Sequence, residues 1–121
     1  MVRRHKKQKP RLPTEEEILA YIPKKADLEW RINDEGLVEI KVPKFKSKIG
    51  KSFCNFIRKE NTFYAKMDKI GSLVWKESDG KKSVKNILEN LKKKFPDEEN
   101  IDQRLFLFLQ QMHNLNYIYL S

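Results

Sequence analysis

A chain of 121 residues with a formal charge of +9 and a mean hydropathy of −0.75 has room for one compact domain with polar extensions, and none for two sizeable domains. No apolar run approaches the roughly 20 residues that span a bilayer, and the start MVRRHKKQKPRLP lacks the apolar stretch of a secretory signal. Cys54 stands alone, which excludes an internal disulfide and a multi-cysteine metal site and leads us to expect a cytoplasmic protein.

The basic excess lies in residues 1–95, because beyond them Arg104 alone faces Asp97, Glu98, Glu99 and Asp102. Such a charge suits nucleic acid, anionic lipid or an acidic protein. Residues 1–13, with Arg3, Arg4, Lys6 and Lys7, read as a basic flexible tail, either a solubilising extension or a nucleic-acid arm. Residues 14–121 are expected to form the single domain.

Thr14 followed by Glu17 is a capping-box pair, so TEEEILAYI predicts a short helix that ends near Ile22, before Pro23. From Leu28 the period becomes two. Leu28, Trp30 and Ile32, the turn NDEG, then Val38, Ile40 and Val42 predict a hairpin with one buried face, limited by Pro43.

Residues 41–59 form a basic amphipathic segment. Phe45, Ile49, Phe53, Phe56 and Ile57 share one side of a helical projection, with Lys44, Lys46, Lys48 and Lys51 around the rest. That face suits either the domain's own core or an anionic membrane or acidic partner, while Gly50 weakens the helix. Thr62 to Met67 then reads as a third strand, with Phe63, Ala65 and Met67 on one face.

Three helices are predicted to follow. Asp68 caps the first, with Ile70, Leu73 and Val74 at helical spacing and Gly71 permitting close packing; Asp79-Gly80 ends it. Ser83 caps the second, whose apolar face is Val84, Ile87, Leu88, Leu91 and Phe95. The third runs from about Asn100 to Leu115 on a stripe of Ile101, Leu105, Phe108, Leu109, Met112 and Leu115, with Asn116 as a left-handed cap and YIYL as a short strand or tail. A small antiparallel sheet followed by three short helices is an α+β domain, and the winged-helix class fits this order.

No chemistry is readable in these residues. His5 and His113 have no spaced ligand partner, there is no Gly-rich phosphate loop, and Asp97 to Asp102 lacks calcium-loop spacing. We therefore expect no enzyme, no metal and no cofactor.

Met67-Asp68-Lys69-Ile70-Gly71 leading into Val74-Trp75, then Asp79-Gly80, then Ser83-Val84 and Ile87, resembles the signature of the PqqD family. The similarity continues more weakly through Leu91 and Phe95 to Leu115-Asn116-Tyr117-Ile118, and spans roughly residues 28 to 120. Two features depart from the family's pattern: the long basic connection from Lys41 to Lys59, and Asn116 where glycine is common.

The resemblance implies a winged-helix-like domain without catalysis, which binds the leader of a precursor peptide and presents it to a modifying enzyme, commonly a radical SAM protein. In that family the leader adds as a strand to the small sheet and rests against the last helix. Carried over by position, Thr62 to Met67 would be the edge, with Phe63, Tyr64, Ala65 and Lys66 as its contacts. Residues 103 to 111 would be the wall, with Arg104, Leu107 and Gln111. Leu107 lies off the core stripe, which is complete without it, as an apolar group at a contact surface would.

The alternative is a nucleic-acid-binding winged helix acting through Arg3, Arg4, Lys6, Lys7, Lys44, Lys46, Lys48 and Lys51. Against it, Arg104 is the one formal cation of the presumed recognition helix. Weak contact with an anionic membrane, and a homodimer formed by strand pairing, stay open.

Overall fold

The computed structural model describes residues 13–42, 54–59 and 61–121. Its elements are α1 (Glu15–Ala20), β1 (Pro23–Lys25), β2 (Trp30–Ile32), β3 (Val38–Val42), β4 (Cys54–Lys59), β5 (Thr62–Met67), α2 (Lys69–Glu77), α3 (Val84–Lys94), α4 (Ile101–Asn114) and β6 (Ile118–Leu120). Helices α2 to α4 stand beside an antiparallel four-stranded sheet, an α+β arrangement, and β1 pairs with β6 in a separate two-stranded ribbon.

The helix starts follow their caps. Thr14 Oγ1 accepts from Glu17 N at 3.1 Å while Glu17 Oε1 accepts from Thr14 N at 2.9 Å. Asp68 Oδ1 accepts from Gly71 N at 2.7 Å, and Ser83 Oγ from Asn86 N at 3.2 Å. Each satisfies a backbone donor that the first turn leaves unpaired. Helix α4 differs: Asn100 enters it at φ 58 with no side-chain cap, and Asn116 leaves it at φ 64.

Turns complete the frame. Asn33 Oδ1 accepts from Glu35 N and Leu37 N and so shapes the turn between β2 and β3, where Gly36 has φ 83. Asp79 Oδ1 accepts from Lys81 N and Lys82 N, while Gly80, at φ 80, lies against the Lys24 side chain. Those backbone donors, joined by the Lys82 ammonium, hold the Asp79 carboxyl well below the usual carboxylate range.

The core lies between one face of the sheet and the helices: Val38, Ile40, Ala65 and Met67 from the strands, Val74 and Trp75 from α2, Ile87 and Leu91 from α3, and Leu105, Phe108, Leu109 and Met112 from α4. At Gly71 a Cβ would sit 3.0 Å from Phe108 Cε1, so glycine lets α2 and α4 approach. We expect Gly71→Val to lose about 1–2 kcal/mol in urea unfolding. Most of that loss should vanish in a Phe108→Leu background, which opens the contact.

Three expectations are corrected. Thr62 to Met67 is not an edge: β5 lies between β3 and β4 in the order β2-β3-β5-β4. The helical reading of the basic segment fails at residues 54–59, which form β4 and pair with β5 from Cys54↔Met67 to Lys59↔Thr62. Positions 43–53, with Lys44, Lys46, Lys48 and Lys51, lie outside the described residues, as does the tail with Arg3, Arg4, Lys6 and Lys7. The first hairpin strand does not bury its apolar face fully, since Trp30 is 39% and Ile32 50% exposed.

Candidate functional site

With β5 enclosed, the outer sides of the four-stranded sheet, among the described residues, are those of β2 and β4. Lys59↔Thr62 closes the β4–β5 hairpin, and alternation along an antiparallel ladder then turns the backbone groups at 57 and 55 toward β5 and those at 58, 56 and 54 away from it. On the other side, Lys41 N donates to Glu29 O at 2.9 Å and Asn33 N to Leu37 O at 2.8 Å. Glu29, Arg31 and Asn33 therefore face β3, and the backbone groups of Trp30 and Ile32 point outward.

The four residues expected at the edge have interior roles. Phe63 and the fully buried Ala65 pair with Val42 and Ile40 of β3. Tyr64 carries the Arg31 guanidinium 4.1 Å from its ring centroid, and Lys66 Nζ lies 3.4 Å from Glu35 Oε1. None of them can pair its backbone with a ligand while β4 is in place.

The wall residues divide. Arg104 is committed: its guanidinium donates to Asp68 Oδ2 at 2.7 Å and to Glu98 Oε2 at 2.9 Å, tying the first turn of α4 to the cap of α2 and to the loop after α3. This makes Arg104 a positioning residue rather than an open cation. Leu107 is 44% exposed, on the same side of α4 one turn further along. Gln111 continues that side, and its Oε1 is buried without a hydrogen-bond partner among the described residues.

Edge and wall are linked at one end. Met67 pairs with Cys54, the first residue of β4, and the next residue, Asp68, holds Arg104. The row Arg104, Leu107, Gln111 thus starts beside the end of the sheet where β4 begins. An open hollow of about 270 Å³ lies there, lined by Asp68, Lys69, Ile70, Phe95, Glu98 and Arg104.

The open face of the sheet carries a buried carboxylate. Glu39, 1% exposed, accepts from Arg31 Nε at 2.9 Å, from Arg31 Nη2 at 2.8 Å and from Asn33 Nδ2 at 2.9 Å, with Lys59 Nζ at 3.8 Å. Burial pushes its pKa up, but those donors and the Lys59 charge outweigh it and hold the group below its ordinary value. Its pairing with Glu39 raises the Arg31 pKa. The network thus sets two partly exposed cations around one buried carboxylate. Among the described residues, no three His, Cys, Asp or Glu side chains are placed to hold a metal ion, and no helix is long and apolar enough to cross a membrane.

Sequence reading gave β2 as a strand without marking it as an outer one, and missed β4. Trp30 and Ile32 carried a signal, since an alternating strand of large apolar residues beside a turn can be an edge, but their side-by-side exposure depends on which helices cover them. Strand β4 was hidden by the helical spacing of its apolar residues.

The sequence matches the family described as coenzyme PQQ synthesis protein D (PqqD) over residues 57–118, slightly more than half of the chain. It is 34% identical over 56 residues to a PqqA binding protein from Acinetobacter baylyi, an alignment covering 46% of this chain and 57% of that relative. No solved structure matches.

Proposed function

The chain belongs to the PqqD family, and from that premise we propose that it is a non-catalytic adaptor that captures a precursor peptide and presents it to a modifying enzyme. The peptide adds as a strand along the outer side of β4 and rests its side chains on Leu107 and Gln111 of α4. The enzyme served is of the radical SAM class or another class that modifies ribosomally made peptides, and the adaptor itself needs no cofactor.

The observation that carries this reading is the pairing of an outer strand with an exposed apolar residue. The backbone groups at 54, 56 and 58 face away from β5, and the α4 row bearing Leu107 starts at that end of the sheet. Main-chain bonds would give affinity and the α4 side chains selectivity, the division of labour seen wherever peptides extend a sheet. The name of the Acinetobacter relative supports a peptide of the PqqA kind as the ligand.

The test is a titration of isotope-labelled protein with synthetic PqqA peptide. Amide signals of residues 54–59 and 104–111 are expected to move first, and Leu107→Asp to weaken the dissociation constant about tenfold. Shifts confined to residues 1–13, or equal affinity for wild type and Leu107→Asp, would refute the site.

A further inference from the structure

A second recess lies between α2, the end of α3 and the turn that joins β2 to β3. We propose that it is a docking site for an acidic segment of a partner protein, one that carries an apolar side chain between two carboxylates. The inference does not depend on the peptide reading, which uses β4 and the Leu107 side of α4.

The recess holds about 340 Å³. Its floor is apolar, with half-buried Leu37 from the turn, Leu73 from α2 and Phe95 from the end of α3. Its rim is cationic, with the exposed Lys69, Lys76 and Lys94. Bonds beneath it fix the shape. Ser72 Oγ accepts from Val38 N at 2.8 Å and ties α2 to β3. Phe95 N donates to Leu91 O at 2.8 Å, while Phe95 O accepts from Glu98 N at 3.1 Å. A preformed concavity of this kind needs little ordering when a ligand arrives.

The charges on the rim are open. None of the three ammonium groups has an ion-pair partner among the described residues. Glu35, the carboxylate in the lining, already stands 3.4 Å from Lys66. Helix ends account for two of the lysines, because Lys76 and Lys94 stand in the last turns of α2 and α3, where a cation complements the dipole. Lys69 differs. As the first residue of α2 it faces the positive end of that helix, so local stability gives no reason for a cation there. An incoming carboxylate supplies one.

The rest of the chain does not provide the occupant. Residues 1–12 and 43–53, outside the described structure, contain Lys and Arg but no Asp or Glu, and the rim repels them. The apolar floor favours a protein segment over nucleic acid, whose phosphates would meet the lysines and leave Leu37, Leu73 and Phe95 uncovered. Spacing sets the pattern. Lys69, Leu73 and Lys76 follow one side of α2, and the helical rise sets the two lysines about 10 Å apart with the leucine between them. Two carboxylates at that separation, with an apolar side chain between, match all three.

Fluorescence anisotropy on the full chain at physiological salt tests this. The probe is a labelled synthetic peptide of glutamate interspersed with leucine, beside one in which serine replaces each leucine. The leucine peptide should bind about tenfold more tightly. Lys69→Glu with Lys76→Glu should weaken it about tenfold or more. Lys81→Glu with Lys85→Glu, the same charge change outside the recess, should weaken it less than about threefold. All four lysines are exposed, so folding should survive, as circular dichroism would verify.

Equal losses in the two pairs would reduce the effect to net charge and overturn the proposal. So would equal affinity for the leucine and serine peptides. Tighter binding of duplex DNA that Lys69→Glu with Lys76→Glu abolishes would assign the rim to nucleic acid instead. The smaller hollow beside Arg104 shares Lys69 and Phe95 with this recess. Displacement of the leucine peptide by PqqA peptide would therefore return the recess to the peptide site and overturn its separate role.

Discussion

Replacing Trp75 with alanine is expected to lower the unfolding free energy by about 3–5 kcal/mol, a large share of the stability of a domain this size. Trp75 is fully buried at the centre of the core and forms the wall against which Trp30 stands edge-on. Its removal opens a cavity and takes away that support. Trp75→Phe should cost far less, about 1–2 kcal/mol, for a specific reason: the indole Nε1–H is buried without a hydrogen-bond partner among the described residues, so phenylalanine removes an unsatisfied donor along with the lost volume. Urea unfolding followed by far-ultraviolet circular dichroism reads both values. Equal losses for the two variants would mean that the N–H is bonded after all.

Glu39→Ala should be the next most damaging change, at about 2–3 kcal/mol. A fully buried ion pair broken on one side costs about 3–5 kcal/mol, but Arg31 is 43% exposed and regains water when its partner goes. The pH dependence carries the sharper test. The folded pKa of Glu39 is lowered, so its ionised form binds the network more strongly than its neutral form. That stability is present above the unfolded carboxylate value, near 4.5, and is lost as pH falls through the lower folded value. The stability gap between wild type and Glu39→Gln should therefore be widest at neutral pH and narrow in acid. A gap that stays constant from neutral pH to pH 3 would show that the charge contributes nothing.

Local chemistry made much of the fold readable. Asp68 and Ser83 marked helix starts through their cap bonds, Gly36 and Gly80 marked turns that need positive φ, and the stripes of α3 and α4 followed one helical period each. These signals depend on neighbours within a few residues. The strand order does not: nothing within Thr62 to Met67 says that a strand will cover each side.

Strand β4 shows the limit most clearly. Phe53, Phe56 and Ile57 have helical spacing, yet residues 54–59 extend because β5 supplies a ladder beside them. Pro23–Lys25 is a strand by the same logic, since its pairing comes from β6 at the far end of the chain. The candidate site was hard to read for the same reason, because the motif around Asp68 gives no sign of which strand is outermost.

That pairing of β1 with β6 sets a timetable for vectorial synthesis. Pro23 lies opposite Leu120, Ile22 N donates to Ser121 O, and Lys25 N and Gly80 N bond across to Ser78 O and Pro23 O. Every partner that holds the first strand is made in the later half of the chain. While a ribosome is still building α3 and α4, β1 has no ribbon to join, and the closing contact waits until residues 118–120 have left the exit tunnel. The hairpins of β2 to β5 are free to form long before then, so the nascent chain carries a nearly complete sheet with an unzipped N-terminal arm.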